Sequence, residues 1–310
     1  MWYNYIERGL CAAPDCDAYR EDPGEETEMN LTTVNAGLGG GSVLQYANRD
    51  HWQSMGYFIK TPDGKTVVID GGRFEGKDAE HLHSLIRDDG GRVDLWFITH
   101  AHEDHFGALS YILRNTVPLD IEIGELCFNF PPVEWTKTVE DAISYPHIVR
   151  FLAELEVCKI NHRRVAQDEV IECGGLSVEV VFDGGGYEKR DNINDTSLVL
   201  RFHFPSRDIL FLADLGWDGG DDLLKLVSHD RLRCDIVQLA HHGQNGVRRS
   251  FYEVVRPKLA LYTAPLWLWE NDCGSGRGSG PWKTLETRRW LDELGVEQSL
   301  PHAYGDFLIV

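Results

Sequence analysis

Three imidazoles and the Asp104 carboxylate fall within the six residues His100-Ala101-His102-Glu103-Asp104-His105. Imidazole and carboxylate are the borderline and hard ligands that hold Zn, Mn or Fe, and a catalytic ion also keeps a position open for water or substrate. One ion has no room for all four groups. In an extended segment residues i and i+2 share a side, so His100 and His102 grip one ion while Asp104 and His105, across the following turn, grip a second. The spacing predicts a dinuclear centre. Four ordered members make the signal far more specific than a lone histidine, whose ordinary reading is a satisfied core or surface residue.

Such a cluster needs a strand to lead in and a helix to lead out. Residues 95–98 are an apolar strand, and residues 106–113 have the apolar spacing of a helix start. The same layout recurs elsewhere: 67–69 run into Asp70, 209–213 into Asp214, and 236–240 into His241-His242-Gly243. Four expected buried strands thus end at a candidate ligand or its neighbour, as in layered α/β folds, where ligands gather at strand ends. Strands are also expected at 31–34 and 57–60, flanking the glycine-rich 37–42. That stretch lacks the Lys of a nucleotide loop and reads as a tight connection. Residues 62–65 form a turn into the strand at 66–69, residues 284–294 an amphipathic helix, and 304–310 a final turn and strand.

The 310 residues suit one domain over 31–310, preceded by an irregular arm at 1–30 rich in Asp, Glu, Cys and Pro. With 42% hydrophobic residues, including nine Trp and thirteen Phe, the chain can bury a sizeable core. It has no long apolar run, and residues 1–8 lack the basic-then-apolar order of a signal peptide, so a soluble cytoplasmic protein without a membrane partner is expected. Seven scattered cysteines do not read as a disulfide framework; Cys11 and Cys16, a C-x4-C pair without a second pair downstream, are assigned to the arm. The formal charge of −20 disfavours extended nucleic-acid binding. A small anionic substrate remains compatible, because divalent cations would dominate the field of the pocket.

In order along the chain, Asp70-Gly71-Gly72, the H-x-H-x-D-H run with Phe106-Gly107, Asp214 and His241 resemble the metallo-β-lactamase superfamily over most of residues 31–310. The resemblance implies a four-layer αββα sandwich, with two mixed β-sheets between helical layers and a metal site at one edge. It implies two divalent ions, Zn or Mn with Fe also compatible, sharing a hydroxide and the bridging Asp214. His100 and His102 would bind the first ion and Asp104 and His105 the second, with His241, or alternatively His242, completing the second site. Asp70 would orient the cluster, since ligating imidazoles usually need a carboxylate or carbonyl on their other nitrogen.

The branch matters more for function. β-Lactamases, glyoxalases and lactonases present a Gly-His-Thr-x-Gly segment whose His serves the first metal, and no such segment is present. In its place stands Asn194-Asp195-Thr196-Ser197-Leu198-Val199-Leu200, followed by Ala213-Asp214 and His241-His242-Gly243-Gln244. This set is similar to the hydrolase domain of the competence protein ComEC and its soluble relatives, including phosphorylcholine esterase-like proteins. Ala213 replaces that pattern's Gly, and Gln244 its Ser. His147, His162 and His203 lie in the interval, His203 on an alternating strand where ligation is not expected. A looser, water-rich first site, better suited to Mn than to Zn, follows.

The resemblance implies hydrolysis of a phosphodiester or related phosphate ester. Asp104 and Asp214 would serve as ligands, and His242 or water as acid for the leaving group. The alternatives are metal-dependent hydrolysis of an acyl substrate (lactam, lactone or thioester), or a non-catalytic ligand-binding role. Asn194, Ser197, Trp267, Arg277 and His302 are the candidate substrate contacts. Arg277 sits in a Gly/Ser-rich loop between tryptophans, which reads either as a lid over an anion or as a surface loop.

Overall fold

The computed structural model describes residues 30–49, 52–74, 76–140 and 143–310, so residues 1–29 of the expected arm, with Cys11 and Cys16, lie outside the described residues. The chain runs β1 (Leu31–Val34), β2 (Ser42–Gln45), β3 (Gly56–Lys60), β4 (Thr66–Asp70), α1 (Lys77–Asp88), β5 (Arg92–Ile98), α2 (Glu103–Asn115), β6 (Glu122–Phe128), α3 (Val133–Glu140) and α4 (Ser144–Val157). It continues through β7 (His162–Arg164), β8 (Val170–Cys173), β9 (Leu176–Phe182), β10 (Val199–His203), β11 (Asp208–Phe211), α5 (Trp217–Leu226), α6 (His229–Leu232), β12 (Ile236–Gln238), α7 (Arg249–Val255), β13 (Leu259–Tyr262), α8 (Leu266–Trp269), α9 (Thr284–Glu293), β14 (Gln298–Pro301) and β15 (Asp306–Ile309).

Two sheets form, ordered β1-β15-β2-β3-β4-β5-β6-β7 and β14-β13-β12-β11-β10-β9-β8. Both are mixed. Strands β4 to β7 and β11 to β14 are parallel, and antiparallel neighbours extend each sheet. Because side chains alternate across a strand, each strand feeds two layers. Val67, Ile69, Leu95 and Phe97 point inward and meet Val180, Phe202, Phe211 and Leu261 of the other sheet. Val68, Trp96 and Ile98 point outward under Leu82, Ile86, Leu109, Ile112 and Phe151 of helices α1, α2 and α4. On the far side Leu210 and Val237 pack under Leu223, Phe251 and Leu291 of α5, α7 and α9. The result is an αββα sandwich. Edge-to-face rings bind the sheets together, Tyr57 on Phe211 at 5.0 Å and Phe97 on Phe202 at 6.0 Å between centroids, a geometry that adds to plain area burial.

Strand β2 departs from the sequence expectation of a simple connection. Only Val43 and Leu44 are apolar in this short strand, and Gln45 is buried. The Gln45 amide donates to the Leu300 carbonyl of the other sheet at 2.8 Å and accepts from the Tyr57 hydroxyl at 3.0 Å. A polar residue satisfied by tertiary partners hid the strand's pattern.

Candidate metal centre

The parallel strands deliver the candidate ligands at their C-terminal ends, where such folds place ligand sites. Strand β4 ends in Asp70 and β5 leads to His100. Asp104 and His105 lie in the first turn of α2, Asp214 follows β11, and His241 and His242 follow β12. Gly107 lets α2 approach the end of β4: a Cβ there would stand 2.5 Å from the Phe74 amide nitrogen. The connecting turns are bent hard, with φ of 56° at Asp70, 49° at Ala213, 53° at His241 and 54° at His242. Left-handed backbone costs an L residue about 1–2 kcal/mol, and it persists where the surroundings over-determine it, commonly at functional sites. Gln238 does so here. Its Oε1 accepts from the amides of Leu212 at 2.8 Å and Ala213 at 2.7 Å, and its Nε2 donates to the Ala213 carbonyl at 3.2 Å.

Asp104, His105, Asp214 and His242 converge, each buried and offering one ligand atom, with those atoms within 4.8 Å of one another. His105 Nε2 lies 3.3 Å from Asp214 Oδ1 and 3.9 Å from Asp104 Oδ1, and His242 Nε2 lies 3.3 Å from Oδ2 of both carboxylates. Behind each imidazole stands an acceptor. His105 Nδ1 donates to Asp70 Oδ2 at 2.7 Å, and Asp70 is itself fixed by the Thr99 amide and hydroxyl, both at 2.8 Å. His242 Nδ1 donates to the Thr263 carbonyl at 2.9 Å. Those outer bonds leave both Nε2 atoms facing inward. Gln53 donates to Asp104 Oδ2 at 3.1 Å, and the Asp214 amide donates to Ser197 Oγ at 3.3 Å.

Burial alone would drive His105 and His242 neutral. The carboxylates prevail: Asp214, Asp70 and Asp104 carry His105 well above its ordinary value, and Asp214 with Asp104 carries His242 to about 9. Asp214 is in turn held far below the usual carboxylate range, against burial, by His242, His105 and His241; Asp104 behaves likewise. The pocket therefore demands positive charge. His105 Nε2, His242 Nε2 and Asp214 Oδ1 are buried without a hydrogen-bond partner, a costly state for protein groups alone. Two imidazoles and two carboxylates so aimed fit a divalent cation, which would replace the imidazole protons.

His100 and His102 form a second, sparser element. His100 Nε2 and His102 Nδ1 stand 3.0 Å apart, and His102 Nε2 contacts the Glu140 carboxylate at 3.1 Å and 3.2 Å. Burial opposes charge on His102, but Glu140 raises it above its ordinary value. His100, buried and beside His105, is pushed well down. Among the described residues no third imidazole joins this pair within the same compass as the quartet. His147 stacks on Phe74, His162 contacts the Ile160 carbonyl, and His203 lies between Glu179 and Asp208.

Of the His241-His242 pair, between which the sequence does not choose, the structure brings His242 to the other candidate ligands. His242 joins the quartet, its Nε2 facing the Asp104 and Asp214 carboxylates. His241 lies to the side, its Nε2 3.8 Å from Asp214 Oδ2 and 3.5 Å from Asn194 Nδ2. Burial pushes it down to about 4, and the His242 charge adds to that against Asp214. Ser197, a candidate substrate contact, accepts from the Asp214 amide. Arg277 pairs with Glu270 at 3.0 Å in an exposed loop tied to itself, with the Gly274 and Gly276 amides on Asp272 Oδ1. Trp267 packs on Trp282 at 4.9 Å. Sequence reasoning missed Thr99, Glu140, Gln53, Gln238 and Thr263, all polar residues near strand or helix ends that nothing local distinguishes from ordinary turn residues.

An αββα sandwich with a histidine and aspartate cluster at the strand ends defines a class, and residues 49–251 match the profile of the Metallo-beta-lactamase superfamily. The chain belongs to that family. No curated protein matches it in sequence. Among solved structures it is similar to the metallo-beta-lactamase fold protein YhfI from Bacillus subtilis, at 10% identity and a TM-score of 0.50, covering 86% of this chain and 98% of that one. It is also similar to CmlA, a diiron beta-hydroxylase from Streptomyces venezuelae, at 15% identity and a TM-score of 0.50 over 87% of this chain. The chain spans about half, 54%, of the length of CmlA. At these identities the likeness shows the fold.

Proposed function

We propose that the protein is a divalent-metal-dependent hydrolase acting on a phosphodiester or a related phosphate ester. The observation that carries the proposal is the buried quartet of Asp104, His105, Asp214 and His242, in which His105 Nε2, Asp214 Oδ1 and His242 Nε2 have no hydrogen-bond partner. Support for the ester class comes from the donors. The quartet pairs two carboxylates with two imidazoles, Asn194 Oδ1 is buried without a partner beside His241, and among the described residues no third imidazole joins His100 and His102 within the compass of the quartet. A mixed imidazole and carboxylate set admits Mn as well as Zn. The similarity of residues 194–200 and 241–244 to the ComEC-type hydrolase domain points the same way.

A divalent metal bound there supplies Lewis-acid charge and lowers the pKa of water toward about 7. The chain's residues then have defined tasks. Asp104, His105, Asp214 and His242 would hold the ion, with His100 and His102 available to a second. Asp70 and the Thr263 carbonyl keep Nδ1 of His105 and His242 protonated, so that each presents a basic Nε2. Asp104 and Asp214 act as ligands, and no protein base is required. With His242 committed and His241 neutral, the leaving group takes its proton from water.

Hydrolysis of bis(p-nitrophenyl) phosphate by metal-free protein reloaded with Mn or Zn tests the proposal, beside Asp214→Ala. Metal-dependent turnover abolished by the substitution is expected. Absence of turnover with two equivalents of metal bound would overturn the phosphodiester assignment, and cleavage of a lactam, lactone or thioester by the same preparation would replace it with the acyl one.

A further inference from the structure

His302, the last of the candidate substrate contacts, is 2% exposed and lies in the interior where β14 ends. Open space lies at the opposite end of the same sheet. There the turn between β10 and β11 meets the start of β12 around a cavity of about 320 Å³, lined among others by Arg201, Phe204, Arg207, Asp208, Arg233 and Asp235. Small-molecule sites begin at about 300 Å³. The length of the parallel strands β11 and β12 separates this cavity from the metal centre at their other ends.

Its walls are fixed by the protein itself. The Phe204 amide donates to the Arg207 carbonyl across the turn, and the Ser206 amide donates to the Leu38 carbonyl, both at 2.9 Å. Leu38 belongs to the glycine-rich stretch 37–42, to which the metal chemistry gives no role. Gly39, at φ 81°, allows the approach, because a Cβ there would run into Ser206 Oγ. On the facing side Cys234 Sγ donates to the Asp208 carbonyl at 2.9 Å. Burial pushes this thiol up to about 12, so it is no nucleophile at neutral pH and the chemistry of the cavity is binding.

Three guanidiniums and two carboxylates line the cavity. Both carboxylates are engaged: Asp208 takes Arg201 at 2.5 Å and 2.9 Å, and Asp235 takes Arg207 at 2.7 Å and Lys258 at 3.3 Å. Arg233 meets Asp230 at 3.0 Å, an ion pair too exposed to hold it strongly. Arg207 and Arg233 each commit Nη1 alone, so Nε and Nη2 of both have no partner among the described residues. The uncommitted groups are therefore donors. At a formal charge of −20 the general field of the molecule repels anions, so a place for one must be made by local donors such as these.

We propose that this cavity is a second ligand site, for a small organic phosphate, with the guanidiniums of Arg207 and Arg233 on its phosphate oxygens and Pro205 and Phe204 against its carbon body. Two guanidinium forks on one cavity suit the several oxygens of a phosphate better than the two of a carboxylate. The site is separate from the metal centre and does not rest on the hydrolase proposal.

Calorimetric titration of metal-free protein with phenylphosphonate, methylphosphonate and benzoate tests this, since without metal the quartet offers no cation to the probes. Melting temperature is measured in parallel. One equivalent of phenylphosphonate is expected to bind, less tightly as salt is added, with methylphosphonate weaker and benzoate weaker by about tenfold or more. Arg207→Gln and Arg233→Gln should each lower phenylphosphonate affinity by about tenfold, the weight of one charge-assisted contact. Arg289→Gln, which removes the same charge from exposed α9, should leave it unchanged. No binding of phenylphosphonate by the wild type, or an equal loss in all three variants, overturns the site. Benzoate bound as tightly as phenylphosphonate overturns the phosphate assignment, and methylphosphonate bound as tightly overturns the role of Pro205 and Phe204.

Discussion

At Asp104, His105, Asp214 and His242 each ligand is aimed by another residue, from Gln53 on Asp104, Asp70 on His105 and Thr263 on His242 to Ser197 and Gln238 beneath the Asp214 turn. At His100 and His102 the supports are thinner: Glu140 on one imidazole, and a Thr99 hydroxyl 3.3 Å from the other. Backbone strain divides the same way. Four of the eight described non-glycine residues with positive φ, Asp70, Ala213, His241 and His242, surround the quartet, whereas His102 is plainly extended at φ −106°. Organisation and strain have been invested in one half of the centre. That half should load first and tightly, the other later and weakly.

The largest effect follows from removing the carboxylate that touches both quartet histidines. Asp214→Ala should lose the tight metal, with affinity falling by more than the roughly 10–100-fold typical of outer supports. His100→Ala should keep one equivalent. Metal content by mass spectrometry after dialysis separates the two outcomes, and a tight equivalent retained by Asp214→Ala would break the asymmetry.

The supports themselves give the next test. Asp70→Asn should weaken the first equivalent of metal by about 10–100-fold, and Glu140→Gln the second equivalent by a similar factor. If both substitutions weaken the same equivalent, the halves are one coupled site.

How much of this was open to a reader of the sequence follows from what is local. The run from His100 to His105 is legible because its ligands are neighbours and an apolar strand precedes them, and Asp70 and Asp214 because β4 and β11 are buried runs ended by an acid. The choice between His241 and His242 was not legible. It depends on successive left-handed residues that rotate the two side chains apart, a conformation no composition rule assigns to histidine. Glu140, Thr263 and Gln53 reach the site only through tertiary packing. For Arg277 the sequence left a lid and a surface loop both open, and the ties of this loop to Asp272 and Glu270 depend on side-chain contacts that composition does not show.

Proton linkage sharpens the contrast. Metal at the quartet must displace protons from His242, at about 9, and His105, well above 6.5, so affinity for the first equivalent should climb as pH rises from 6.5 toward 9. His100 is already neutral, and metal takes no proton from it. Proton release, read from calorimetry in buffers of different ionisation heat, should be greater for the first equivalent. Stability carries the same sign. His242 is raised above its unfolded value, so its contribution is complete below pH 6.5 and is lost as pH rises through about 9. The melting temperature of metal-free protein should fall over that window, and that of loaded protein should hold. A flat metal-free profile would mean that the quartet carries no excess protons.

The smallest effect concerns the strained turn before Asp214. Ala213→Gly relieves left-handed strain of about 1–2 kcal/mol. It also removes a buried methyl worth about 0.8 kcal/mol and adds chain entropy of about 0.5–1 kcal/mol. The terms nearly cancel, so the denaturation midpoint should move little, with an unchanged slope. Ala213→Val has no such relief, because a β-branched residue is poorly accommodated at positive φ, and it should destabilise clearly. If the turn serves only to bend the chain, Ala213→Gly binds metal as the wild type does. If its stiffness aims Asp214, the glycine variant keeps its stability and loses affinity for the first equivalent alone, which would locate the organisation of that half in the backbone as well as in the side chains behind it.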